Sequence, residues 1–157
     1  MRTALRRAAC GALLAGLLAA LPLAMTARPA LAQALDSPVG LWQNIDDETK
    51  KPKALIRILE QDGVLSGRIE KILTDKPDAV CDACTDQRQG QPVQGMTILT
   101  GLRKDGEEWN GGEILDPNNG KVYRARVRLA DGGRKLDVRG FIGIAAFGRT
   151  QTWVRQP

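Results

Sequence analysis

The chain contains no histidine in 157 residues. That absence excludes imidazole-dependent triads and leaves proton transfer to carboxylates, Lys or Tyr. It also argues against a structural zinc site, which wants four nitrogen or sulfur ligands. Aromatic residues are scarce, with three Trp, one Tyr and two Phe. Beyond the first 32 residues, no ten-residue stretch carries a convincing helical period. Gly111-Gly112 is followed by neither Lys-Ser/Thr nor a helix, so it is not a phosphate loop. Two runs of acids occur, Asp46/Asp47/Glu48 and Glu107/Glu108, both at expected turns or strand starts. Successive strand residues point to opposite faces, so Glu107 and Glu108 do not converge as an acid–base pair. The sequence therefore offers no catalytic residue, metal site or cofactor site.

Long apolar runs are also missing, except near the start. Arg2, Arg6 and Arg7 precede an apolar run from Ala8 to Ala24, and Ala30-Leu31-Ala32 places small residues at a cleavage site. That order is expected of a secretory signal peptide over residues 1–32. The run is short for a membrane span and Pro22 interrupts it, so no span is expected in the mature chain. Cys10 lies before the apolar core, which is the wrong place for lipid attachment. The leader holds four of the 23 basic residues and none of the 18 acids, so its removal lowers the net charge from +5 to +1. The high isoelectric point is thus poor evidence for nucleic-acid binding, and none is expected. The remaining 125 residues, from Gln33, make one domain with a modest core.

What is present is alternation and turn chemistry. Tyr123, Ala125, Val127 and Leu129 alternate with Arg124, Arg126 and Arg128, giving a strand with one dry and one wet face. Leu136, Val138, Gly140 and Ile142 alternate with Lys135, Asp137, Arg139 and Phe141. Asp62-Gly63, Asp105-Gly106, Asp116-Pro117-Asn118-Asn119-Gly120 and Asp131-Gly132-Gly133 supply the turns. Eight strands are expected, over 39–45, 54–61, 64–73, 96–104, 107–115, 120–130, 134–142 and 146–155. Leu65, Gly67, Ile69 and Leu73 share a face of the third strand, on which Lys71 is the exception. Gly111-Gly112 predicts a bulge or sharp bend in the fifth. Closing such a meander into a barrel removes its exposed edges, and eight strands leave room for packed side chains or one small ligand.

Gly40-Leu41-Trp42 resembles the lipocalin Gly-x-Trp motif of the first strand. The resemblance implies a Trp closing one barrel end beneath a basic residue of the last strand. Arg149 and Arg155 both share a face with Trp153, and either could supply that cation–π contact. A second resemblance spans nearly all the mature chain. Gly40/Trp42, Cys81/Cys84, Trp109 to Tyr123, Arg139 to Gly143 and Gly148 to Arg155 look like the domain of unknown function 2147 family of bacterial exported proteins. That resemblance implies a lipocalin-like barrel and no established activity.

Cys81 and Cys84 survive removal of the leader, inside the turn-rich stretch 74–95. An even count in an exported chain implies a local disulfide. The rival readings are redox catalysis, a metal site or free thiols. Asp78, Asp82 and Asp86 surround the pair, and such neighbours raise a thiol pKa, which weighs against redox use. Loops of this length carry a function or a brace.

The expected fold is all-β, an eight-stranded antiparallel up-and-down barrel with one long loop between strands three and four. The expected function is non-catalytic binding of a small apolar or amphipathic molecule by a periplasmic or secreted module. Trp42, Tyr123, Arg139, Phe141, Arg149 and Trp153 are the candidate ligand-binding residues. The alternative is a filled barrel serving as a structural or protein-binding envelope module, through its outer face and the Cys81 loop. No pattern identifies a protein partner.

Overall fold

In the computed structural model, residues 35–157 are described, so the expected leader and its cleavage site lie outside the described residues. Eight strands follow in order: β1 (Gly40–Ile45), β2 (Pro52–Gln61), β3 (Val64–Ile72), β4 (Thr97–Asp105), β5 (Glu108–Asp116), β6 (Lys121–Ala130), β7 (Lys135–Phe141) and β8 (Arg149–Arg155). Each pairs antiparallel with the next. β8 returns to β1 through Trp42↔Arg155 and Gln43↔Val154, closing an eight-stranded barrel.

Alternation decides what faces inward. On β2, Ala54, Ile56 and Ile58 are buried between exposed or half-buried neighbours. On β6, Ala125 and Val127 are buried while Arg124 and Arg128 are exposed. The outer surface is charged and laced with ion pairs, Arg57–Glu70 at 2.7 Å and Arg126–Glu108 at 3.4 Å among them. A barrel that sits in lipid reverses this pattern, apolar outside and polar within.

Bulges interrupt the pleat where an extra residue enters a strand. Between β5 and β6, Trp109 faces Val127 but Gly112 faces Ala125, so three steps on β5 match two on β6. This is the bulge expected at Gly111-Gly112, and Gly111 takes φ +75 there. A second bulge, on β3, corrects the expected face. Ile56 faces Ile69 while Leu55 faces Lys71, so Glu70 is the extra residue. Beyond it the inward parity flips. Ile72 is buried and Lys71 is exposed, which removes the apparent exception. β7 also stops earlier than expected, at Phe141, and β8 starts at Arg149. Ile142, expected on the dry face, is 69% exposed in the β7–β8 loop, whose residues Ala145–Phe147 form a 3-10 turn.

The two ends of the barrel differ. The tight turns after β2, β4 and β6, with the lead-in segment 35–39 and the residues after β8, gather at one end. Trp42, Ile58, Leu65, Leu99, Leu102 and Leu136 are each 0% exposed there and fill the interior. The Trp42 indole donates to Pro38 O at 2.7 Å, and the Arg155 guanidinium lies 4.2 Å from its ring centroid. Arg155 also donates to Gly133 O (2.7 Å), Val39 O (2.9 Å) and Ser37 O (2.6 Å). One side chain thereby ties the lead-in segment, the β6–β7 turn and β8 over the Trp lid. Of the two arginines allowed by parity, closure selects Arg155.

Candidate functional site

The other end carries the longer loops and is hollow. A cavity of about 1050 Å³ opens between the β1–β2 loop, the 73–96 loop, the Asp116–Gly120 turn and the β7–β8 loop. Its walls are aliphatic, with Ile56, Ile69 and Ile98 from β2, β3 and β4 and Ile114 and Val138 from β5 and β7. They are inward positions of five of the eight strands, brought together by the same pleat that fills the closed end.

One wall is polar. Along the inner side of β8 and β1, Asp47 accepts from Arg149 and from Gln151 Nε2 (3.0 Å). Gln151 Oε1 in turn accepts from Asn44 Nδ2 at 3.0 Å. Arg149, Gln151 and Asn44 all line the cavity, and Asn44 is the buried polar residue among the described residues. Below them lies Trp153, 1% exposed, whose indole N–H is buried without a hydrogen-bond partner. At the rim, the Thr49 amide and hydroxyl hold the Asp46 carboxyl below its ordinary 3.8.

The 73–96 loop is folded rather than slack. Val80 bridges Pro92, Cys81 N–H donates to Gln91 O at 2.9 Å, and Val93 N–H donates to Ala79 O at 2.9 Å. Cys81 and Cys84 form a disulfide and are 0% and 1% exposed. The bonded Cys81 sulfur rests 3.5 Å from Pro117 O, so the loop leans on the β5–β6 turn. Gly120 of that turn has φ +67, and a Cβ there would lie 1.9 Å from Ala83 O. Only glycine allows this approach. The disulfide thus braces the loop at the mouth and is shielded from the solvent.

The six candidate residues separate into two groups. Tyr123, Arg149 and Trp153 line the cavity, and the Tyr123 hydroxyl accepts from Asn119 Nδ2 at 3.1 Å. Phe141 touches it at the rim, with its ring beneath the outward-facing Arg124 at 5.4 Å. Trp42 lies under the floor as the lid of the closed end, outside the cavity lining. Arg139 faces outward, donating to Ala145 O (2.7 Å), Ala146 O (3.1 Å) and Thr150 Oγ1 (2.7 Å). It shapes the β7–β8 loop and does not line the cavity. Asn44 and Gln151 went unnoticed in the sequence. Parity with Trp42 and Trp153 was the available signal. Among the described residues no group of three or more Cys, Asp or Glu is placed to hold a metal ion.

A closed eight-stranded barrel, filled and Trp-capped at one end and hollow at the other, is a lipocalin-like architecture. The chain belongs to the bacterial family described as "Uncharacterized protein conserved in bacteria (DUF2147)", whose profile matches residues 40–155. Among solved structures it is similar to HP1028 from Helicobacter pylori, described as belonging to the lipocalin family. The TM-score is 0.68 at 18% identity, over 77% of this chain and 84% of that one. That likeness concerns the fold. No curated protein matches the chain.

Proposed function

We propose that this protein is an exported, non-catalytic binding module that holds a small, partly apolar molecule in the hollow half of its barrel. The observation that carries this reading is the cavity of about 1050 Å³, aliphatic on most sides and polar along the β8–β1 wall. Small-molecule sites occupy roughly 300–1000 Å³, mostly apolar with a few placed polar groups. The aliphatic walls would take the ligand's hydrocarbon. The Arg149–Asp47–Gln151–Asn44 wall would fix its polar end near the mouth. The rival reading, a solid barrel acting through its outer face, needs an interior filled throughout.

Export to the periplasm is part of the proposal. It rests on the arginine–apolar–small order of residues 1–32 and on a shielded disulfide, which suits an oxidising compartment.

The test is native mass spectrometry of protein recovered from the cell envelope, with N-phenylnaphthylamine fluorescence as a probe of the same space. A retained small molecule, lost from Ala54→Phe and Val138→Phe variants of unchanged thermal midpoint, is expected. Ala54 and Val138 both line the cavity, and the larger side chain would occupy it. Wild-type protein that carries no adduct and leaves the probe dark would end the proposal.

A further inference from the structure

We infer that the β7–β8 loop is a membrane-docking tip that seats the mouth of the barrel on an anionic phospholipid surface. The loop runs Ile142-Gly143-Ile144-Ala145-Ala146-Phe147-Gly148 and contains no charged residue. Its three large side chains point away from the core. Ile142 is 69% exposed, Ile144 62% and Phe147 86%. Scattered single exposures on a surface are ordinary, but three on seven residues at a cavity mouth form a patch with a use.

The loop is also held in shape. Arg139 donates to the carbonyls of Ala145 and Ala146, Arg124 donates to Gly143 O at 3.4 Å, and Gly148 N–H closes back onto Ala145 O at 3.0 Å. Little backbone order remains to be lost when the tip enters an interface, so the exposed side chains are pre-aimed.

Charge identifies the partner. Arg124 and Arg139 stand on the outer face directly below the tip, and neither makes an ion pair among those of the described residues. Further down the same face the arginines are neutralised, Arg126 by Glu108 at 3.4 Å and Arg128 by Asp137 at 4.0 Å. Glu113 lies opposite Arg124 in register, and no ion pair joins the two among those of the described residues. On the far side of the loop, Arg149 is paired with Asp47. The acids Asp46, Glu48, Asp82 and Asp116 belong to the other three mouth loops. An apolar tip above two unpaired guanidinium groups fits a bilayer whose hydrocarbon lies beneath anionic headgroups. A second copy of this chain would bring its own arginines against these. The inference stands on the loop's exposure and charge, and it holds or fails separately from the identity of any cavity ligand.

The experiment is co-sedimentation with vesicles of phosphatidylethanolamine and phosphatidylglycerol, against pure phosphatidylcholine. Wild type and variants carry the same N terminus, so any contribution from residues 1–32 is common to all. Wild type is expected to prefer the anionic vesicles and to be released by salt. Ile144→Ser with Phe147→Ser removes apolar side chains that support no core, and is expected to lower partitioning by at least about tenfold. Arg124→Gln is expected to lower it by roughly fivefold on anionic vesicles only. Phe147→Trp adds an indole that brominated lipid should quench. Cavity probe binding stays at the wild-type level in Arg124→Gln, since Arg124 is not part of the cavity lining. Equal binding of the Ser variant and wild type, or no preference for anionic lipid, overturns the inference. So does concentration-dependent self-association abolished by the Ser variant without vesicle binding, which would assign the tip to a second copy.

Discussion

Arg155 is where a single substitution should cost the fold most for its size. Its guanidinium donates to three backbone carbonyls, Ser37 O, Val39 O and Gly133 O, at 2.6–2.9 Å, and stacks on Trp42 at 4.2 Å. Burial pushes its pKa below the usual arginine value, yet it stays charged at neutral pH. A hydrogen bond from a charged donor contributes about 1.5–3 kcal/mol, and a partly desolvated cation–π contact about 1–2 kcal/mol. Simple addition overshoots, because carbonyls of the lead-in segment regain water once the side chain is gone. We therefore expect about 4 kcal/mol for Arg155→Ala. Arg155→Lys keeps the charge but loses the planar fork, and should cost about 2 kcal/mol.

The assay is urea denaturation with the disulfide intact, followed by tryptophan fluorescence. With an m-value of about 1.5 kcal/mol per molar, Arg155→Ala should lower the midpoint by roughly 2–3 M at unchanged m. Arg155→Lys should fall between the alanine variant and wild type. Trp42→Phe combined with Arg155→Ala should lose less than the sum of the two singles, since they share the ring contact. A shift under about 0.5 M for Arg155→Ala would refute the reasoning, and so would a lysine variant as stable as wild type.

Two further outcomes follow from the loop and the acids. Gly120→Ala should destabilise by about 2–4 kcal/mol, because φ +67 is strained for alanine and the new Cβ would meet Ala83 O. Hydrogen exchange at Cys81 and Val93, whose amides donate within the loop, should accelerate with it, while unchanged exchange would show that the loop does not lean on the turn. Acid should weaken the protein through Asp86, held at about 2 chiefly by the Arg88 guanidinium, and through Asp46 and Asp131. Their folded pKa values lie below the ordinary 3.8, so their stabilisation is present above about pH 4 and lost as pH falls toward 2. A urea midpoint already falling steeply between about pH 7 and 5 would contradict this, since no histidine titrates there.

The barrel was legible because its signals are local. Asp-Gly pairs and the Asp116–Gly120 cluster mark reversals, and strict alternation marks β6 and β7 as strands with one dry face. The Glu70 bulge had no such signal. No glycine announces it, and only pairing with β2 reveals the extra residue. Ile142 misled for a related reason, since alternation continues past the point where β7 leaves the barrel. The polar wall was hidden more deeply. Asn44 and Gln151 are 107 residues apart and meet only through closure of β8 onto β1. Arg155 could be suspected from parity with Trp153, but its partners are carbonyls, which every residue carries. Sequence therefore nominates the arginine without naming what it holds. Arg139 shows the converse: an arginine beside aromatics in sequence turns outward to carbonyls of its own loop.

β8 shows how one parity serves both ends of the molecule. Arg149, Gln151, Trp153 and Arg155 share its inner face, and their surroundings change at each step. Arg149 meets Asp47 at the rim, Gln151 bridges Asp47 to Asn44, Trp153 forms part of the cavity lining, and Arg155 locks the closed end. The unpartnered Trp153 N–H is the costly step. A buried donor left unsatisfied costs about 1–3 kcal/mol, and phenylalanine would remove that donor at some loss of volume. Stability alone favours an apolar ring there. Polar groups retained beside a cavity, in a barrel whose other half is filled with aliphatic side chains, place the departure from optimal packing at the proposed site. Local rules are expected to break where function requires it.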